Sequence, residues 1–138
     1  MITIKKQEIV KLEDVLHLYQ AVGWTNYTHQ PEMLEQALSH SLAIYVALDG
    51  DAVVGLIRLI GDGFSSVFVQ DLIVLPSYQR QGIGSALMKE ALEYYKDAYQ
   101  VQLVTDQTEK TLGFYRSLGF ETLSTYDCTG MIWVDRKR

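Results

Sequence analysis

Residues 79–84 read Gln-Arg-Gln-Gly-Ile-Gly. They follow an apolar run that Pro76 ends, and they lead into a stripe of Ile83, Leu87, Ala91, Leu92 and Tyr95 at helical spacing. A strand, a glycine-bearing loop and a helix start together make a place for an anion. Loop N–H groups turn inward, and the first helical turn adds unpaired N–H groups and the positive end of its dipole. Gly82 and Gly84 let backbone approach a phosphate closely because no Cβ intervenes, and Arg80 adds a charge from the rim. A tight turn without a ligand asks for the same glycines. A Walker loop requires Lys-Ser/Thr after its last glycine, where here Ser85-Ala86 follows Gly84. A dinucleotide loop requires a third glycine, where Leu87 stands, and a first glycine hard against the strand, whereas residues 76–81 intervene. Asp106 lies after the next strand, roughly where a ribose-binding acid sits, so a nicotinamide nucleotide stays among the alternatives.

Asp71 is the other residue whose setting suggests chemistry. A carboxylate in the middle of an apolar strand is costly unless it is paired or functional. It is therefore either a proton acceptor or a structural partner, for example of Arg58 on the adjacent strand. His17, His29 and His40 are scattered without metal-ligand spacing, so no metal is expected. The single cysteine, Cys128, excludes an internal disulfide and has no His-and-acid grouping nearby to activate it.

The elements that must position these residues fit in one domain, residues 1–138, with 48% hydrophobic and 21% charged residues. Residues 1–5 alternate as an edge strand. Leu12, Val15, Leu16 and Tyr19 form a helical stripe that Gly23 ends, and residues 24–30 are a polar and aromatic connector. Pro31 opens a second helix through Met33, Leu34, Ala37 and Leu38. Residues 41–48 and 52–60 read as strands joined by Asp49-Gly50-Asp51, and residues 64–75 as a long strand after Gly61-Asp62-Gly63. Beyond the loop and its helix come a short strand at 101–104 in the middle of a sheet, and a helix carrying Leu112, Tyr115 and Leu118. Closing strands follow at 120–123 and 131–134. The order β-α-α-β-β-β-α-β-α-β-β is an α/β (α+β) domain with a mixed sheet flanked by helices.

The net charge of −5 argues against nucleic acid, and the basic cluster Asp135-Arg136-Lys137-Arg138 reads as a solvated tail. An acidic protein attracts cationic amines, without specificity. No apolar run reaches the roughly 20 residues of a membrane helix, and the N-terminal residues lack a signal-peptide core, so a cytoplasmic protein is expected.

With these residues in place, the chain resembles the GNAT superfamily, the acetyl-CoA-dependent N-acetyltransferases. Gln-Arg-Gln-Gly-Ile-Gly matches the Q/R-x-x-G-x-G/A signature, the preceding Asp-Leu-Ile-Val-Leu-Pro (71–76) is similar to that family's central strand, and Gly-Phe-Tyr-Arg-Ser-Leu-Gly-Phe (113–120) is similar to its second signature. Asp62, Asp71, Pro76-Ser77-Tyr78-Gln79, Phe114-Tyr115 and Gly130-Met131-Ile132-Trp133 further resemble bacterial relatives of plant-type GNAT enzymes that acetylate arylalkylamines and other amines. One position departs. The family often has an Asn about six residues before the tyrosine, where Glu109 stands here, so no cofactor contact is carried over there.

The resemblance implies a mostly antiparallel mixed sheet, splayed at the central strand. Backbone of Leu72, Ile73 and Val74 would pair with the pantetheine arm of acetyl-CoA, and Gln79, Arg80, Gln81, Gly82, Ile83, Gly84 and Ser85 would cradle its pyrophosphate. It implies transfer of the acetyl group to a primary amine, of a small molecule in the leading reading. The Ile73 N–H would polarise the thioester carbonyl, Tyr115 would protonate the leaving thiolate, and Asp71 would be the base or would anchor a water chain leading to one. Tyr115 read without the family is a core tyrosine on an amphipathic helix. Trp24, Tyr27 and Trp133, with Asn26, His29 and Tyr126 nearby, would line the acceptor pocket, where Trp24 and Tyr27 could equally anchor a loop on the core. A protein N-terminal or lysine acetyltransferase and a non-catalytic acetyl-CoA-binding sensor are the alternatives, and exposed edge strands are compatible with a homodimer.

Overall fold

The computed structural model describes residues 1–134. The chain forms two compact units, Met1–Leu103 and the segment from Val104 onward. The basic cluster read at residues 135–138 lies outside the described residues.

The first unit is built on a five-stranded sheet in the order β1-β2-β3-β4-β5, with β1 Ile2–Gln7, β2 Ala43–Asp49, β3 Ala52–Gly61, β4 Ser66–Val74 and β5 Gln100–Leu103. The first four strands are antiparallel neighbours and β4 pairs with β5 in parallel. Gly50, at φ 61°, sits in the two-residue turn between β2 and β3, where a left-handed residue matches the twist of the hairpin. Between β1 and β2 run α1 Leu12–Ala21, the single-turn α2 Thr25–Thr28 and α3 Pro31–Ser39, while α4 Ile83–Tyr94 joins β4 to β5. The connector expected at 24–30 thus contains a short helix.

Two layers cover the sheet. Val15, Leu18 and Tyr19 of α1 and Leu34 and Leu38 of α3 pack with Ile44, Val46, Leu56 and Ile73 into one core. The opposite face carries α4, whose Ile83, Leu87, Met88 and Ala91 are buried. Gly55 marks the second layer. A Cβ there would stand 3.3 Å from Leu87 Cδ1 and 3.1 Å from the Ile73 carbonyl oxygen, so α4 seats closely only over a glycine. Gly55 and Leu56 are consecutive on one strand and face opposite sides, which places α4 across the sheet from α1–α3.

In the second unit α5 spans Glu109–Ser117. Thr108 caps it by accepting from the Thr111 N–H at 3.3 Å. Gly119, at φ 99°, follows its C-terminus, and the Phe120 N–H returns to the Tyr115 carbonyl at 3.1 Å.

Three strand expectations are corrected. The strand expected in the middle of the sheet is β5, which lies at its edge among the described residues, with Gln102 interrupting its apolar run and Val104 79% exposed. Residues 120–123 form no strand, because the chain enters a 3-10 turn at Leu123–Tyr126 and Asp127 adopts φ 57°. Residues 131–134 form none either: their side chains are exposed and no described strand offers them a ladder. An apolar run of four residues has strand composition without a strand's obligatory hydrogen-bond partner. No helix among the described residues is long and apolar enough to cross a membrane.

Candidate active site

The β3–β4 pairing runs from Gly61↔Val67 to Gly55↔Val74 with one irregularity. Arg58 faces Asp71, but Leu59 faces Val69, so Gln70 is an extra residue in β4, a β-bulge. The β4–β5 pairing covers only Ser66–Val69 against Gln100–Leu103. From Gln70 to Val74 no described strand pairs with β4 on that side. Those five residues leave roughly 16 Å of open backbone edge at about 3.3 Å per residue.

The ladder determines which amides face the opening. The Leu75 N–H donates to the Val54 carbonyl at 2.9 Å. The two-residue alternation of an antiparallel pair then turns the Ile73 amide toward Leu56 and the Leu72 and Val74 amides toward the open side. Gln79 Nε2 donating to the Val74 carbonyl at 3.1 Å agrees with that assignment. The Ile73 N–H named from the sequence as the carbonyl-polarising group is thus committed to the sheet, and Leu72 and Val74 hold the free donors.

The open edge leads into the loop. After Val74 the chain makes a 3-10 turn at Pro76–Tyr78, pinned by the Tyr78 hydroxyl donating to Asp49 Oδ2 at 2.6 Å. Arg80 sits at φ 66° and Gly82 at φ 79°, two left-handed residues that bring the chain into α4. Gly82 occupies the N-cap of α4 without a side-chain capping bond, so the amides of the first turn, including Ile83, Gly84 and Ser85, lack that partner. Gln79, Arg80, Gln81 and Gly82 are exposed. Free N–H groups, a helix dipole and an Arg side chain at the end of an open strand edge suit a phosphate attached to an extended arm.

On the α1–α3 side of the bulge lies a buried polar cluster. Arg58 is 4% and Asp71 2% exposed. Arg58 Nε donates to Asp71 Oδ2 at 2.7 Å, the Tyr19 hydroxyl to Oδ2 at 2.8 Å and the Tyr27 hydroxyl to Oδ1 at 2.9 Å. Arg58 Nη2 reaches the Tyr27 oxygen at 3.2 Å, and Gln70 Nε2 reaches it at 3.3 Å. Both carboxylate oxygens are therefore occupied, the arrangement of a structural partner of Arg58 rather than of a free base. Burial, then the Asp71 charge, pushes the Tyr19 phenol well above its ordinary value, and burial likewise raises Tyr27.

Of the residues expected in the acceptor pocket, Tyr27 is 8% exposed and Trp24 half-buried. The Tyr19–Tyr27 and Trp24–Tyr27 ring centroids are 5.1 and 6.3 Å apart, so both residues anchor the connector on the core. The first unit thus holds the loop, the open edge, Asp71, Trp24 and Tyr27, and brings the last three together around Tyr19. Tyr115 and Trp133 belong to the second unit, where Trp133 is exposed. Tyr115 is half-buried, its ring 5.0 Å from Phe114 and 5.9 Å from Phe120. Burial, then the charge of Asp106, raises its phenol above the ordinary value and keeps it protonated at neutral pH. Sequence reasoning missed Tyr19 and Gln70 as members of the polar cluster. Tyr19 fits a helical stripe equally well as plain core, and a bulge has no periodic signal.

Residues 40–122 match the Acetyltransferase (GNAT) domain. A solved structure of a GNAT-family acetyltransferase from Streptococcus pneumoniae is 84% identical and superposes with a TM-score of 0.91, each chain covered over 99% of its length. The chain is 29% identical over 95% of its length to the chloroplastic GCN5-related N-acetyltransferase 1 of Arabidopsis thaliana, and 30% identical over 66% to the chloroplastic serotonin N-acetyltransferase 2 of Oryza sativa subsp. japonica. It spans 66% and 48% of those two proteins. The open β4 edge, the glycine loop and these matches agree: the chain belongs to the GNAT acetyltransferase family.

Proposed function

We propose that the protein transfers the acetyl group of acetyl-CoA to the primary amine of a small molecule. The observation that carries this reading is the β4 edge, left open from Gln70 to Val74 and running directly into the uncapped start of α4. The pantetheine arm adds to that edge as a strand would, through one of the two outward amides of Leu72 and Val74 with Ile73 between them, and the pyrophosphate lies on residues 79–85.

The chemistry is direct attack. The amine gives its proton to solvent, and its lone pair forms the C–N bond at the thioester carbonyl. A free β4 N–H, of Leu72 or Val74, stabilises the developing oxyanion. The C–S bond then breaks and the thiolate takes the proton of Tyr115, which is recovered from the nitrogen through solvent. The proposed role of Asp71 is to anchor Arg58, Tyr19 and Tyr27 beside the opening. The acidic composition favours a cationic acceptor, and the name of the rice relative makes arylalkylamines the first class to test.

The test is release of free thiol from acetyl-CoA on adding a panel of amines, with N-acetyl product identified by mass. Turnover above hydrolysis with at least one small amine is expected. Tight coenzyme A binding with no turnover across arylalkylamines, polyamines and lysine peptides would replace this reading with a non-catalytic binding protein.

A further inference from the structure

Gln70 is the extra residue of β4, it is exposed, and it directly follows Val69, the last residue of β4 paired with β5. It therefore stands at the apex of the opening. Its amide has a defined orientation. The single proton of the Tyr27 hydroxyl goes to Asp71 Oδ1, and Asp71 is itself held by Arg58 and Tyr19. The Tyr27 oxygen can then only accept from Gln70, so the nitrogen end of the amide faces Tyr27 at 3.3 Å. Oε1 points the other way, and no donor among the described residues is bonded to it. A charge pair, a phenol and an amide thus form a relay of hydrogen bonds ending in an outward carbonyl oxygen.

We infer that Gln70 Oε1 receives an N–H of the acceptor amine and aims its lone pair at the thioester. This deepens the transferase reading and rests on it. A neutral amide oxygen accepts from an ammonium group and continues to accept after deprotonation, so the same contact holds the amine before and during attack. It also favours primary amines, which keep a second N–H for this bond when one hydrogen is lost on acylation, over tertiary amines with none. Arg58, Asp71 and Tyr27 act through Gln70 as positioning residues.

The probe is tryptamine, a primary arylalkylamine. Gln70→Met keeps the length of the side chain and removes the amide. Its kcat/KM for tryptamine should fall about 10- to 100-fold, mainly through KM, with the KM for acetyl-CoA within twofold of wild type and the Tm lowered only by the few degrees that loss of the bond to Tyr27 entails. In 15N-labelled protein saturated with coenzyme A, tryptamine should shift the Gln70 side-chain amide resonance. If wild type acetylates tryptamine and the Gln70→Met variant keeps its KM, the inference is overturned and the transferase reading stands. If no amine is acetylated but the Gln70 resonance shifts with tryptamine, the amine site stands and the transferase reading is lost. A Gln70 resonance that stays in place at saturating tryptamine overturns the inference whatever the turnover.

Discussion

Arg58 Nε lies 2.7 Å from Asp71 Oδ2, and the two residues face each other across β3 and β4 at the register step where Gln70 bulges. A buried ion pair that also takes two phenol donors is a fixed strut. Removing one partner strands a charge, so Asp71→Asn or Arg58→Met should cost about 3–5 kcal/mol in urea denaturation. Replacing both with apolar residues should recover most of that loss. Because both carboxylate oxygens are engaged by Arg58, Tyr19 and Tyr27, the acid limb of the kcat/KM profile should survive in Asp71→Asn. Loss of that limb would restore Asp71 as the base.

Tyr115→Phe should lower kcat by about 10²- to 10⁴-fold, the usual contribution of a positioned proton donor, with little change in acetyl-CoA binding. The wild-type phenol titrates above its ordinary value of about 10, since burial and then Asp106 raise it. A donor must be protonated to act, so wild-type kcat should show no alkaline fall from this group until above about pH 10. Steady-state kinetics against pH checks both statements. An unchanged kcat under chemistry-limited conditions would remove Tyr115 from the reaction.

Gly82 and Gly55 should fail differently as alanine. A Cβ at Gly82 meets nothing within 4 Å, so Gly82→Ala suffers only the left-handed φ of 79°, about 1–2 kcal/mol. The loop relieves that strain by moving, and the Kd for coenzyme A should rise about tenfold by calorimetry. Gly55→Ala has an ordinary φ but meets the Ile73 carbonyl at 3.1 Å and Leu87 at 3.3 Å. Its loss should appear first in Tm, through the seat of α4.

Tyr19 and Tyr27 make stability sensitive to alkali. Their folded-state titrations are raised, by burial first in each case. Their contribution is fully present below about pH 10, where the unfolded chain begins to ionise. It is lost as the pH rises toward the folded values, because the unfolded state releases these protons first. Tm should fall steeply above pH 10. Tyr19→Phe should start from a lower Tm at neutral pH and show a shallower alkaline fall.

The fold class, the four long strands, the helices other than the single-turn α2 and the glycine loop were legible because periodicity and turn chemistry are local. Pro76, Gly82 and the stripe through Ile83 and Leu87 mark their own structural roles. The strands expected at 120–123 and 131–134 failed because a strand is defined by its partner, and four apolar residues do not name one. Asp71 was visible as an anomaly, and Arg58 as its partner on the next strand. Tyr27 was expected in the acceptor pocket for its ring, while its hydroxyl and Gln70 complete a cluster that joins α1 and α2 to β4. That union arises only when chain segments more than 40 residues apart meet.

The bulge at Gln70 also shifts the reading frame of the strand. Before it, odd-numbered Val67 and Val69 pair with Gly61 and Leu59 on the α4 side. After it, odd-numbered Asp71 and Ile73 pair with Arg58 and Leu56 on the α1–α3 side. Were Gln70 instead drawn into the ladder opposite Arg58, Asp71 would move opposite Ile57 on the α4 side and Leu72 opposite Leu56 on the α1–α3 side, a one-residue slip that turns over every side chain downstream. A residue that looks like an insertion is thus what lets a nearly continuous apolar segment address two different environments in turn.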